Sequence, residues 1–360
     1  MVRAGWRDVA RPQRTSFVPA GESAGFRPNS YKWLIGTEAY SGYMKLYVLH
    51  ENAEWLPPFA DALDAEGVPW TPWFLDGGVI DLSAPPPEGV FYSRMSASSH
   101  TRGHIRAKEH TRSVLSWLEA WDRRVVNGRR VLELEMSKVD QLTALASAGL
   151  AVPRTLAVVG TERLVEEARA FPVPFITKHN QGGKGLGVQR FEHADALEQA
   201  HVGGGLEEPA DHTWLLQEYI EPADGFITRV EVVGSEFLYA LAADTSHGFQ
   251  LCPADACQVH DMFCPTGEHA ARIFSLREGF DDPIIGRYLD FARRWGIEIA
   301  GFEFIESADG RKLTYDVNTN TNYNATVDAQ AGRAGSTAVA RFLGGLLEDH
   351  DQDQALLLRT

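Results

Sequence analysis

The sequence predicts a three-part chain of mixed α/β and α+β character, on three observations. Across residues 45–135, short apolar runs and amphipathic stretches follow the order strand, helix, strand, helix, strand, the rhythm of a parallel α/β unit. Across 150–220, a small α+β unit surrounds an apolar strand that opens into a glycine-rich loop. Beyond 221, strand-type runs alternate with helices in an order that fits an antiparallel sheet backed by helices. The boundaries that follow are an arm over 1–44, domains over 45–135, 136–220 and 221–348, and a polar, frayed tail over 349–360.

In chain order, the first thirty residues hold Arg3, Arg7, Arg11, Arg14 and Arg27 without a continuous apolar stretch, so they read as an arm and not a secretory signal. Residues 45–49 (KLYVL) are a buried strand, followed by a helix over about 58–66. Strands at 70–75 and 90–92 flank the proline-rich loop 85–87. A helix covers about 104–121 with Val114, Leu118 and Trp121 on one stripe, and 124–126 returns as a strand. Ser137 opens the next helix as a capping box with Asp140 in the acidic position; Val139, Leu142 and Leu145 form its stripe, and Gly149 stops it. Then come a strand at 155–159, a helix capped by Thr161, strands at 174–177 and 187–191, a helix over 194–200 and a strand at 213–219. Strands at 227–233, 236–242, 298–305 and 312–317 and helices near 283–295 and 335–347 complete the chain.

Bulk composition narrows the function classes. At 360 residues there is room for two or three domains, and 44% hydrophobic with 23% charged residues is ordinary for a soluble globular protein. A net charge of −15 argues against nucleic acid as a partner, and no apolar run reaches the length of a membrane span. Three cysteines, an odd number, suit a reducing cytoplasm. Cys252, Cys257 and Cys264 cluster around His260, but their spacing is not a usual zinc pattern; a reduced, ordered loop is the reading, with zinc as the alternative.

The chain is organised around residues 173–188, VPFITKHNQGGKGLGV. A strand delivers Lys178, then Gly182, Gly183, Gly185 and Gly187 follow with Lys184 among them. Glycines at that density let a backbone close over a ligand, and loop N–H groups beside a lysine cradle polyanions such as phosphate. Lys184 is followed by Gly185 and not Ser or Thr, so the Walker A pattern fails, as does GxGxxG; alone, the run reads as a hairpin. Three more stations accompany it: Lys138 at a helix start, Gln217-Glu218-Tyr219-Ile220 at a strand end, and Glu303 with Asp316 and Asn318. Lysines are point charges for phosphate, a strand end offers backbone and a carboxylate to a purine, and acids with an amide oxygen suit magnesium. Asp316 and Asn318, two apart on a strand, share a face. Taken singly, each has a plain reading: a solvated Lys138, a cross-strand pair Glu303 and Asp316, and Arg229 as partner of Glu231 or Glu218.

In this order the stations resemble the ATP-grasp superfamily, most closely its RimK-like and glutathione-synthetase-like carboxylate–amine ligases, over residues 124–335. The resemblance implies three domains: an N-terminal Rossmann-like parallel sheet, a small central lid domain and a C-terminal antiparallel sheet with helices. ATP would lie between the last two. By motif position, Lys138 and Lys178 resemble the ATP-binding lysines, residues 182–187 the mobile loop over the phosphates, and Glu218, Tyr219 and Ile220 the adenine hinge. Glu303, Asp316 and Asn318 resemble ligands for two magnesium ions, and Arg229 the arginine that meets the transferred phosphate and the acyl oxygen. The family pattern has an acid where Ile227 stands, a Glu in place of Asp316, and a Pro-Gly turn where Asn320, Asn322 and Asn324 occur. The ribose contact then falls to Glu221 or Asp224, and the carboxylate-binding details after Asn318, Asn320 among them, belong to this subfamily.

Residues 92–104 (YSRMSASSHTRGH) follow a strand of the first domain, and ligands gather at such strand ends. Arg94, Ser96, His100 and Arg102, with Ser98 and Ser99, suit a carboxylate substrate, the alternative being a serine-rich helix cap. The expected activity is ATP- and magnesium-dependent amide formation through an acylphosphate, joining a small-molecule carboxylate to an amine of an amino acid or small peptide. The alternatives are a kinase of the same fold and a non-catalytic ATP-binding regulator. His247, in the long loop 244–267, is the candidate base. The sequence leaves the oligomeric state open, although enzymes of the family it resembles are often dimers or tetramers.

Overall fold

The structure, a computed structural model, describes residues 45–183, 185, 187–245 and 273–357. His247 and the cluster Cys252, Cys257, His260 and Cys264 lie outside the described residues, as does Lys184. Three sheets form, one for each part of the sequence.

The first sheet is parallel, in the order β2 (Trp70–Phe74), β1 (Leu46–His50), β3 (Val90–Arg94), β4 (Arg124–Val126). The near-continuous apolar runs of β1 and β3 suit central strands covered on both faces, by α1 (Pro57–Ala65) and α2 (Ala107–Ala120) among others. Helix α2 starts later than predicted because a 3-10 turn, Ser99–Arg102, intervenes and closes on Gly103 at φ +81°. Val114 and Leu118 are buried as expected, whereas Trp121 falls at the C-cap and is largely exposed.

Two helices then meet at Ser137. The first, α3 (Arg129–Met136), was not predicted; it is a short helix whose buried Val131, Leu132, Leu134 and Met136 read equally well as alternation. Ser137 is extended, ends α3, and accepts from the Asp140 N–H to cap α4 (Lys138–Ser147), as predicted.

The second sheet is antiparallel: β5 (Thr155–Val159), β8 (Thr213–Glu218), β6 (Phe175–His179), β7 (Gln189–Phe191), in that order. One face packs Phe175, Trp214 and Leu216 against α5 (Leu164–Arg169) and α6 (Ala194–Val202), while the other buries Leu215, Gln217 and Lys178. Thr161 contributes only its carbonyl to the start of α5; its side chain is not the cap.

The third sheet is antiparallel, in the order β11 (Phe274–Leu276), β10 (Glu236–Asp244), β9 (Phe226–Val233), β12 (Ile299–Glu306), β13 (Lys312–Asn318). On one face, Tyr288 and Phe291 of α7 (Pro283–Trp295) pack on Phe302 together with Leu142 and Leu145 of α4. On the other, α9 (Gly335–Leu357) wedges Val339, Ala340 and Leu343 between Val233 and Ile299 and the first sheet's Leu46 and Val48. Strand β11 and α8 (Ala325–Ala331) were not predicted, being too short to carry a period, and α9 runs past Glu348 into the expected tail. Among the described residues no helix is long and apolar enough to cross a membrane.

Candidate active site

The two predicted lysines are brought together by Asn180. At the end of β6, its carbonyl accepts the Lys138 N–H (3.2 Å) and its side-chain oxygen accepts the Val139 N–H (2.8 Å), fastening the N-terminus of α4 beside Lys178. Lys178 is buried and makes no ion pair among the described residues. That burial, with Lys138 nearby, lowers its ammonium to about 8. Lys138 instead pairs with Asp316, which outweighs its burial and holds its pKa up.

The acids stand opposite each other on β12 and β13, Glu303 against Asp316. A bulge makes Tyr315 the extra residue, and its hydroxyl donates to Glu303 (2.6 Å). Burial drives the Glu303 carboxyl above its ordinary range, against the pull of Arg229. Burial would do the same to Asp316, but Lys138, Lys178 and Arg229 bring it below. Arg229, on β9 beside Glu303, is buried and fully forked: onto Glu231 (2.5 Å), Glu303 (2.8 Å) and the Thr321 hydroxyl (2.6 Å). Gly301 makes room for it, since a Cβ there would lie 2.5 Å from the guanidinium. Arg229 thus has the structural partner Glu231, foreseen from sequence, as well as a place in the cavity wall.

One cavity of about 650 Å³ collects these groups between the second and third sheets. Lys138, Lys178, Gly182, Gly183 and Gly185 line it, as do Gln217, Glu218, Tyr219, Ile220 and Glu221, and Arg229, Glu303, Asp316, Asn318 and Asn320. Gly187 and Asp224 do not, which leaves Glu221 as the ribose candidate. Gly187 instead serves the loop's shape: its φ is +72° and a Cβ would strike the His179 ring at 2.6 Å. Ile176, Ile227 and Ile305 give the cavity apolar lining. The Glu218 carboxylate accepts the Arg154 N–H (2.7 Å), so part of its capacity is already used.

The serine-rich segment divides. Ser96 and Ser98 line the cavity; Arg94, His100 and Arg102, expected beside them to meet a carboxylate, do not. Arg94 is buried over the Phe59 ring (3.7 Å) and donates to Asn322 (2.7 Å). Arg102 forks onto the buried Glu51 (2.5 and 3.2 Å), and His100 turns to the Ala97 carbonyl (3.2 Å). Nor is Ser98 a side-chain cap; its hydroxyl accepts from Arg102. Sequence reasoning missed Glu135, which lines the cavity from the unpredicted α3 and accepts from Thr319 (2.8 and 2.9 Å). It also missed Gln141, whose amide clamps β13 at Val317 (2.7 and 2.9 Å). A glutamate and a glutamine on the apolar side of short helices were the available signals.

The architecture has solved counterparts. A RimK-domain ATP-grasp protein from Sphaerobacter thermophilus DSM 20745 superposes with a TM-score of 0.58 at 16% identity, over 83% of this chain and 98% of that one. The chain has the ATP-grasp fold. D-cycloserine synthetase DcsG matches at 0.57 and 18% identity, over 84% and 99%. ATP-grasp ligase PsnB, complexed with minimal precursor, Mg and ADP, matches at 0.57 and 16%, over 84% and 96%. No family model matches the sequence, and none of the curated proteins is similar to it. The ATP-grasp fold's nucleotide suits these residues: buried cations for phosphates, apolar lining and a strand end for a base. Among the described residues no three His, Cys, Asp or Glu side chains could hold a metal, so a cation at Glu303, Asp316 and Asn318 needs phosphate oxygens as well.

Proposed function

We propose that the protein is an ATP- and magnesium-dependent carboxylate–amine ligase. The observation that carries this reading is the meeting of Lys138, Lys178, the glycine loop, residues 217–221 and the Glu303, Asp316 and Asn318 set in one cavity. Magnesium, two ions held by those two acids and the amide together with phosphate oxygens, would neutralise charge on the transferring phosphoryl group. Lys138 and Lys178 hold phosphates, which requires Lys138 to give up Asp316 or share it. A carboxylate oxygen of the acid attacks the γ-phosphorus and ADP leaves; the amine nitrogen then attacks the acyl carbon, and phosphate departs with the former carboxylate oxygen. Arg229 faces the transferred phosphoryl and the acyl oxygen. The glycine loop excludes water that would hydrolyse the acylphosphate. Structural neighbours complexed with precursor peptides support amino acids or small peptides as the substrate class.

The test is a phosphate-release screen of amino acids and peptides, singly and in pairs, with product masses. Release that needs an acid and an amine together, with a product lighter than their sum by one water, supports the ligase. A phosphorylated product formed without an amine contradicts it and indicates a kinase.

A further inference from the structure

The segment Thr319-Asn320-Thr321-Asn322 leaves β13 and crosses to the first sheet with most of its side chains already bonded. Thr319 is held by Glu135 (2.9 Å), Thr321 by Arg229 and Glu231 (2.6 and 3.0 Å), and Asn322 by Arg94 (2.7 Å). Asn320 differs. Its backbone N–H donates to Asn318 (3.0 Å), but its side chain, only 4% exposed, leaves both Oδ1 and Nδ2 without a partner among the described residues while lining the cavity. Buried side-chain amides are nearly always hydrogen-bonded, because desolvation without a partner is unfavourable. An unpaired one in a cavity wall is built for something that enters.

The surroundings define what enters. Asn320 lies in the chain between Asn318, which follows Asp316 on β13, and Asn322, which bonds Arg94 of the first sheet. The two nearby arginines do not bond Asn320: Arg94 donates to Asn322 over the Phe59 ring, and Arg102 donates to Glu51 and Ser98. Asn320 itself presents a neutral group, a carboxamide with a donor beside an acceptor. We propose that Asn320 is a specificity-determining residue that holds a peptide group of the acid substrate. A substrate N–H donates to Oδ1 and a substrate carbonyl oxygen accepts from Nδ2. The acid is then an N-acylated amino acid or a peptide, in preference to a free amino acid or a simple carboxylate. This rests on the ligase reading and adds to it the chemistry of one substrate.

The experiment loads the full chain with ADP and magnesium, then titrates a panel of dipeptides, N-acetyl amino acids, free amino acids and short-chain fatty acids. The best binder is repeated with its amide nitrogen methylated and against N320L and N320D. The expected result is that an amide-bearing acid binds, and that methylation or N320L weakens it about ten- to hundredfold. ADP affinity should stay within about twofold in both variants, which shows that they are folded. Equal binding to N320L, tighter binding of a free amino acid or fatty acid, or no binding by any amide-bearing acid would overturn the proposal. If ADP itself fails to bind the unaltered protein, the ligase reading falls and this one with it.

Discussion

Lys178 sets a pH scale for the site. Burial and the nearby Lys138 lower it to about 8 in the free protein, so near that pH half the molecules carry a neutral amine. A bound phosphate favours the charged form and raises the pKa, so binding above pH 8 must take up a proton. Nucleotide affinity should therefore be full below about pH 8 and fall by up to about tenfold per pH unit above it, until the bound-state pKa is passed. Calorimetric titration of ADP with magnesium at pH 7 and 9, in buffers of different ionisation enthalpy, measures this directly. Lys178→Arg, whose charge does not titrate in this range, should abolish the dependence. A pH-independent affinity in the unaltered protein would show that Lys178 does not meet the phosphates. The other charged groups could not be read so simply from sequence. Arg229 is at once a buried partner of Glu231 and Glu303 and a member of the cavity wall, because the fork of a guanidinium can serve two carboxylates.

The glycine loop shows how far an element is legible from its sequence. Its density of glycines marked it as unusual, but composition does not distinguish glycines needed for approach from those needed for backbone shape. In the structure Gly183 is the tolerant one: its φ is not left-handed, and a Cβ would rest at an ordinary 3.5 Å from Ser98. Gly185 and Gly187 both have a left-handed φ, and Gly187 also faces a His179 ring fixed by the Glu207 carbonyl (2.7 Å) and the edge of Trp214. Gly183→Ala should fold and bind nucleotide normally, whereas Gly187→Ala should lose about 1–3 kcal/mol of stability through backbone strain and clash. Urea denaturation of the two variants separates them, and equal midpoints would refute the assignment. The elements that escaped notice share a physical cause. Helices α3 and α8 and strand β11 are each eight residues or fewer, so one or two turns or a single strand pair carries no period to detect. Glu135 was hidden with α3, and Asn180 looked like one more polar loop residue until its contacts to α4 were seen.

At the scale of the whole molecule, the three-sheet arrangement was legible because strand type, glycine loop and paired strands each leave a local signature. The substrate end was not, since it depends on which way Arg94 and Arg102 turn. Arg94 turns to Asn322 and Arg102 to Glu51 and Ser98, so serine and asparagine side chains stand in the cavity wall where the arginines were expected. The first and third sheets are joined by α9, which packs between them, and by the segment after β13, which touches α3, β9 and β3 in turn; Asn180 ties the second sheet to α4. A cavity whose wall carries Lys138, Lys178 and Arg229 suits the proposed chemistry, which works by positioning and charge neutralisation. The central claim is that the acid is activated by phosphoryl transfer to its own oxygen. Its most direct test uses an acid substrate labelled with oxygen-18 in the carboxylate, coupled to its amine with ATP, and mass analysis of the released phosphate. The account predicts one labelled oxygen in each phosphate formed; phosphate free of label would contradict it.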